Sequence, residues 1–216
     1  MHIGLKSGFF CLLLSLGACD SAEMPSSPSG EPMATPGTPM LWLARNAESG
    51  DWFSFAAEAI SDHGGALLSS TPADIGAWCP AYSGQSPEER TAFWAFLMSS
   101  LMRFESNYDP TTSYTEPFDD AAGNRVVSRG LLQLSIESAN GYGCGIGEAE
   151  ELHDPRTNLS CAVRIMDRWV GGDGVISGQT ASGSWRGMAR YWSPFRRADA
   201  LGTMRGEVSA SSYCTP

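Results

Sequence analysis

One stretch constrains the fold more than any other. Ser86-Pro87-Glu88-Glu89 opens an apolar run that Tyr108-Asp109-Pro110 closes. A serine cap, a proline at the first helical position and a glutamate three residues after the cap together make a helix start. The serine and glutamate oxygens satisfy free amides of the first turn, and proline has no amide to satisfy. Phe93, Leu97, Leu101 and Phe104 then recur at helical spacing, with Trp94, Met98, Met102 and Glu105 along the neighbouring stripe. A helix this apolar must lie against a core, and it carries Glu105 with it. Apolar surroundings disfavour a charged carboxylate, and so does the negative end of a helix, so both raise the pKa of Glu105. A glutamate that keeps its proton at neutral pH is what a general acid requires. The plainer alternative is a helix-end glutamate turned out to water or paired with Arg103.

The chain has 216 residues, enough for one core with a short appendage. Its 24 Asp and Glu outnumber 14 Lys and Arg. That balance has the wrong sign for nucleic acid, and no nucleic-acid partner is expected. The first residues read as an export signal. Lys6 supplies positive charge, and the apolar run from Phe9 to Leu16 is too short to span a bilayer. The run ends in Leu16-Gly17-Ala18-Cys19, which resembles the lipobox of bacterial lipoproteins. That resemblance implies cleavage before Cys19 and acylation of its thiol. Pro25, Pro28, Pro32, Pro36 and Pro39, set among serines and glycines, then leave too little apolar surface to fold. The expected organisation is a signal peptide over 1–18, a lipidated, disordered tether over 19–40 and a folded domain over 41–216. The expected location is periplasmic, with the membrane held through the lipid; the alternative is an ordinary signal cut near Ala18 and a secreted protein.

Cys79, Cys144, Cys161 and Cys214 remain for the folded part. Their number is even, the compartment is oxidising, and no Cys-x-x-Cys occurs, so two disulfides are expected in place of a metal site. The favoured pairing is Cys144–Cys161, closing a short loop, with Cys79–Cys214, tying the chain end to the body. The scattered His2, His63 and His153 add no metal constellation, and no cofactor is expected.

Periodicity places a helix over Trp52, Phe53, Ala56, Ala59 and Ile60, with Asp51 as cap and Gly64-Gly65 as stop. The segment from Thr111 to Arg129 reads as a long loop or a small hairpin. Ser135 caps a short helix through Ala139. Asp154-Pro155 opens a helix that buries Leu159, Val163, Met166 and Val170 and ends at Gly171-Gly172. Trp185, Met188, Ala189 and Trp192 stand at helical spacing, and a last short helix covers Ala198 to Met204. The reading is mainly α, with little strand pattern and no internal repeat.

Four short motifs then fall in one order: Glu105-Ser106 with Tyr108 and Pro110; Gly130-Leu131-Leu132-Gln133; Asn158 behind Asp154-Pro155; and Ala189-Arg190-Tyr191. Together they resemble the lysozyme-like lytic transglycosylases of glycoside hydrolase family 23 and their goose-type lysozyme relatives. The resemblance covers roughly residues 87–191. It implies a mainly α, lysozyme-like fold, disulfide-stabilised, with a small loop or hairpin lining a cleft. It implies peptidoglycan glycan strands as partner, and cleavage of the β-1,4 bond between N-acetylmuramic acid and N-acetylglucosamine by a monomer. Glu105 is then the catalytic acid and base, Ser106 supports the site, Gln133 contacts substrate or orients water, and Tyr191 lines the cleft. Trp192 stands where the family often has asparagine and is a candidate cleft residue. Ser135 stands where goose-type lysozymes carry aspartate.

Two chemistries stay open. A transglycosylase uses Glu105 alone and leaves a 1,6-anhydro sugar, which is the outcome the resemblance favours. A hydrolase of the inverting kind needs a second carboxylate to activate water. Asp119 and Asp120 are the candidates, with Glu116 a weaker one; alternatively Asp119-Asp120 are solvated turn residues. An acidic cleft would also attract deacetylated, cationic amino sugars. A lipoprotein that clamps peptidoglycan without cleaving it is the alternative outside enzymes.

Overall fold

The computed structural model describes residues 37–215. Helices run over Trp52–His63 (α1), Gly65–Ser69 (α2), Pro87–Glu105 (α3), Ile136–Gly141 (α4), Pro155–Asp173 (α5) and Ala198–Ser209 (α6). Strands Ser113–Asp119 (β1) and Arg125–Arg129 (β2) form one antiparallel hairpin, and Ser177–Gln179 (β3) with Trp185–Gly187 (β4) a second. The expected signal, Cys19 and most of the tether lie outside the described residues.

The start of α3 is the one expected. Ser86 Oγ accepts from the Glu89 amide at 3.2 Å, and Glu89 Oε2 accepts from the Ser86 amide at 2.7 Å. The apolar stripe understates its burial: every residue from Ala92 to Met102 is buried, Ser99 and Ser100 included. The reason is tertiary. Helices α1, α2 and α6 surround α3 and leave its middle without a solvent face. Each buried serine is satisfied, Ser99 Oγ donating to the Phe96 carbonyl at 2.8 Å and Ser100 Oγ to Glu207 at 2.5 Å. Beside them Trp94 Nε1 and Tyr82 OH both donate to the Leu67 carbonyl, at 3.0 and 2.7 Å, which joins α2 to α3.

Both favoured disulfides are present, Cys79–Cys214 and Cys144–Cys161. The first closes a separation of 135 residues and the second one of 17. By loop-closure entropy they stabilise the fold by about 5 and about 3 kcal/mol respectively. They also accord with an oxidising, exported environment.

Several boundaries differ from the sequence reading. Packing begins ahead of Leu41: Met40 is buried, and Thr38 and Ser212 exchange hydrogen bonds of 2.7 Å between the two ends of the domain. Helix α1 starts after Asp51 without a bond to that side chain. Helix α5 passes through Gly171-Gly172 to Asp173, and Gly174 ends it in the left-handed conformation. Helix α6 continues past Met204 to Ser209. The largest correction concerns Trp185 to Trp192. Trp185 lies in β4, and Met188–Arg190 form a single 3₁₀ turn. Gly187 turns the chain there at φ 60°, where a β-carbon would strike the carbonyls of Val175 and Ile176. Apolar residues three and four apart occur on either side of that corner without a helix between them.

Candidate active site

The floor of the site is where α3 ends. Glu105 is its last residue, Ser106 is the C-cap, and Asn107 and Tyr108 follow in the left-handed region at φ 49° and 66°. Two successive non-glycine residues there cost about 1–2 kcal/mol each. Their surroundings hold them in place. Asn46 Nδ2 donates to the Tyr108 carbonyl at 2.9 Å, and Ser106 Oγ donates to the Leu131 carbonyl at 2.9 Å. The second bond ties the end of α3 to the Gly130-Leu131-Leu132-Gln133 turn.

That turn is itself clamped. Arg129 and Leu134 exchange two backbone bonds of 2.9 Å and close the loop between them. Asn158, fully buried at the start of α5, accepts from the Leu132 amide at 2.9 Å and donates to the carbonyls of Leu152 and Arg129 at 2.8 and 3.1 Å. Gly130 lies against this clamp at φ 75°, and a β-carbon would collide with the Leu152 carbonyl and the Asn158 amide. Gln133 sits at φ 48°. Its amide nitrogen donates to the carbonyls of Gly130 and Thr112, at 2.8 and 3.1 Å, while its buried Oε1 has no partner. Gln133 lines the cleft, so the arrangement leaves an acceptor there for a substrate hydroxyl, amide or water.

The cleft above this floor measures about 630 Å³. Glu105 is half-buried in it, and burial drives its pKa from 4.5 to about 8. The cations of Arg197 and Arg196 oppose that rise, and the negative charge of Glu116 adds to it. Glu105 therefore carries its proton at neutral pH. Arg103, the alternative partner in the sequence, is engaged elsewhere, with Nη1 2.8 Å from Glu207 Oε1.

The opposite wall is the β1–β2 hairpin. Tyr114 pairs with Ser128 and Asp119 with Arg125, with a bulge between. Glu116 lies in that bulge, lines the cleft and accepts a 2.6 Å bond from Ser128 Oγ. Asp119 and Asp120 also border the cleft, and both are engaged. Asp119 forms an ion pair with Arg125 at 3.2 Å. Asp120 Oδ1 accepts from the amides of Asn124 and Ala122 at 2.8 and 2.9 Å. These bonds, chiefly that from the Asn124 amide, hold its carboxyl below the usual carboxylate range. Glu116 is thus the hairpin carboxylate whose charge bears on Glu105. The sequence signal for it was alternation: Tyr114, Glu116 and Phe118 occupy every second place in a β-prone run facing Val126 and Ser128.

Tyr191 lies in the third wall, with its ring edge-on to Trp192 at 4.8 Å and to Tyr142 at 6.0 Å. Burial raises its pKa to about 12, so its phenol stays protonated as a donor. The turn that carries it is held from α5: Asp173 accepts two bonds from Arg190, at 2.6 and 3.0 Å, and one from the Gly187 amide at 2.7 Å. Trp192 is only 2 % exposed, and its indole N–H donates to the Leu132 carbonyl at 2.9 Å. It backs the cleft and braces the glutamine turn, with no open face on which a sugar could stack. The structure therefore gathers Glu105, Gln133, Tyr191 and Trp192 around one cleft, with Ser106 behind them tying the end of α3 to the glutamine turn. The sequence reading missed Ser128, and also Arg196, which reaches the cleft while donating to the Ala189 carbonyl at 2.6 Å.

No protein-family profile and no curated protein matches the chain. Solved structures of a Bdellovibrio protein, Bd0314 DslA, do. The wild-type structure (form 2) is 46 % identical, with a TM-score of 0.79 over 82 % of this chain and 98 % of that one. Two structures of glutamate-to-glutamine variants of the same protein match at 46 % and 45 % identity, each with a TM-score of 0.78 over 82 % of this chain and 97 % of theirs. The two substituted glutamates stand eleven residues apart in that protein. At this identity and coverage the chain belongs to the family of Bd0314 DslA.

Proposed function

We propose that the protein has a lysozyme-like fold and cleaves the β-1,4 bond between N-acetylmuramic acid and N-acetylglucosamine in peptidoglycan glycan strands, with Glu105 as general acid. The observation that carries this reading is a glutamate protonated at neutral pH, at the end of a buried helix, facing a second glutamate across a cleft. Glu105 gives its proton to the glycosidic oxygen, and the bond to the anomeric carbon breaks with oxocarbenium character. Tyr191 and Gln133 hold the sugar.

The second step has two forms. Glu116 favours hydrolysis: a carboxylate on the hairpin wall of the cleft takes a proton from water, which adds to the anomeric carbon. Glu105 and Glu116 are eleven residues apart, the separation of the glutamates substituted in Bd0314 DslA. In the transglycosylase form, ionised Glu105 takes the proton of the muramic 6-hydroxyl, and no water enters. The experiment is mass analysis of fragments released from purified peptidoglycan by the protein and by its Glu105→Gln and Glu116→Gln variants. Hydrolysis predicts reducing ends, each fragment heavier by one water than its anhydro counterpart, and loss of release in both variants. Anhydro ends, lost with Glu105→Gln alone, would establish the transglycosylase. Tight co-sedimentation with no fragments would make the protein a binding module.

Acidic residues of the hairpin and α4, Glu116, Asp119, Asp120 and Glu137, border the cleft opposite Arg190 and Arg196. The acidic side supports a second reading of the substrate, in which free amino sugars of deacetylated glycan bind against the hairpin. Faster cleavage of deacetylated than of acetylated wall is then expected; equal rates would remove that reading. The lipid anchor at Cys19 and the periplasmic location remain part of the proposal, tested by metabolic labelling with a fatty acid in Cys19→Ser beside the parent.

A further inference from the structure

Among the described residues the exposed large apolar side chains are Leu43, Tyr114 and Phe118, and two of these three stand on one short strand. Tyr114 is 58 % exposed and Phe118 57 %. Both belong to β1, in a two-stranded hairpin that has no further strand to cover it. Which face they occupy follows from pairing. Tyr114 is directly opposite Ser128, and paired residues of antiparallel strands project to the same side. Ser128 lines the cleft and holds Glu116, so Tyr114 shares the cleft face. Phe118 borders the cleft itself. The two rings therefore stand on either side of Glu116 along the strand, with the bulge between them.

We infer that Tyr114 and Phe118 are sugar-stacking residues that extend the cleft along the hairpin and grip the glycan strand on either side of the cleavage site. A β-linked pyranose presents the C–H groups of one face as an apolar plate. An exposed aromatic ring is the protein surface that plate packs on, and it needs little ordering to do so. Exposed rings on a marginal hairpin add little to its own stability. Their continuity with the carboxylate-lined cleft, and the hydroxyls and carboxylates set between them, point to a polymer of sugars rather than to an apolar helix or a membrane. This inference rests on the glycan reading above and adds the gripping surface to it.

The test uses the full chain. In a Glu105→Gln background, binding to insoluble peptidoglycan is measured by co-sedimentation. Tyr114→Ala with Phe118→Ala is expected to weaken binding about tenfold, and each alone about threefold. In the otherwise unsubstituted enzyme the double variant raises KM on polymer and leaves kcat nearly intact. Tyr114→Phe keeps the ring and retains binding; loss equal to that of Tyr114→Ala would assign the effect to the hydroxyl and overturn stacking. Unchanged binding and KM in the double variant, with the parent cleaving normally, would overturn the inference alone. If the Glu105→Gln parent itself does not bind and the unsubstituted protein releases no fragments, the glycan reading fails first and this one with it. Thermal unfolding unchanged by both substitutions shows that the fold is not what was lost.

Discussion

Two of the carboxylates that line the cleft, Glu105 and Glu116, are held in opposite ways. Glu105 ends a helix whose middle is buried on all sides, and the residues after it are bonded to a turn that a buried asparagine clamps. Glu116 lies on an exposed hairpin at a bulge and has one side-chain partner, Ser128. The difference teaches a division of labour. Burial in a rigid setting raises the pKa of Glu105, as a general acid would need; Glu116, half-buried on its strand, is held by a single side-chain bond. The setting of Glu105 is built from long-range packing, so it is costly to disturb. The setting of Glu116 is local and can be altered without unfolding the domain.

The sharpest test of this contrast is Glu105→Gln. It is expected to reduce glycan cleavage at least about a thousandfold. It also changes pH stability in a defined direction. Between about pH 4.5 and about pH 8 the folded protein keeps a proton that the unfolded chain has released, so folding loses stability as pH rises through that window. The glutamine variant lacks this loss. It should be the more stable protein above pH 8, by up to about 5 kcal/mol, and nearly equal to the parent at pH 4. Denaturant melts at the two pH values check this; equal stability at both would mean Glu105 is not desolvated.

Next in size is the clamp behind the acid. Gly130→Ala forces a β-carbon into the Leu152 carbonyl and the Asn158 amide at a positive φ, and should destabilise the fold by about 3 kcal/mol. A melting temperature within a degree of the parent would show that the turn can shift, and that the floor is softer than described. Glu116→Gln should lower cleavage about 10–100-fold if Glu116 is the base, with thermal stability unchanged, and should bring the basic limb of the pH–rate profile down from near 8. An unmoved limb would separate Glu116 from Glu105. Smallest is Ser128→Ala, which removes the one side-chain bond to Glu116 and should slow cleavage a few-fold at a stability change of about 1 kcal/mol. A loss as large as that of Glu116→Gln would show the hairpin to be as tightly organised as the floor.

The legible parts of this molecule were those in which local chemistry and global packing agree. The Ser86 capping box, the Asp154 cap and the Ser135 cap each fold as read, because the groups they satisfy lie within three residues. The disulfide pairing was also within reach, since four cysteines admit few connectivities and one pair is close in the chain. Trp185 to Trp192 was misread because periodicity records spacing alone, and Gly187 turns the chain inside that spacing. Trp192 does border the cleft, but its indole bonds to the Leu132 carbonyl, sixty residues earlier, a contact that spacing does not display.

By itself the sequence determined that a buried helix starts at Ser86 and delivers Glu105 at its end, and that the later cysteines would close two bridges. Those outcomes depend on helix caps, apolar spacing and cysteine parity, which a linear chain displays. Only the tertiary structure decided which hairpin carboxylate faces that glutamate, why Gly130 must lack a side chain, and which aromatic rings are open to the cleft. Each of these depends on residues far apart in the chain meeting at one place: Ser128 on Glu116, Asn158 on Gly130, Leu132 on Trp192. Carboxylates four residues apart in one segment have nearly the same sequence neighbourhood. A bulge and a single serine bond leave Glu116 acting on Glu105, while Asp119 and Asp120 are bonded within the hairpin.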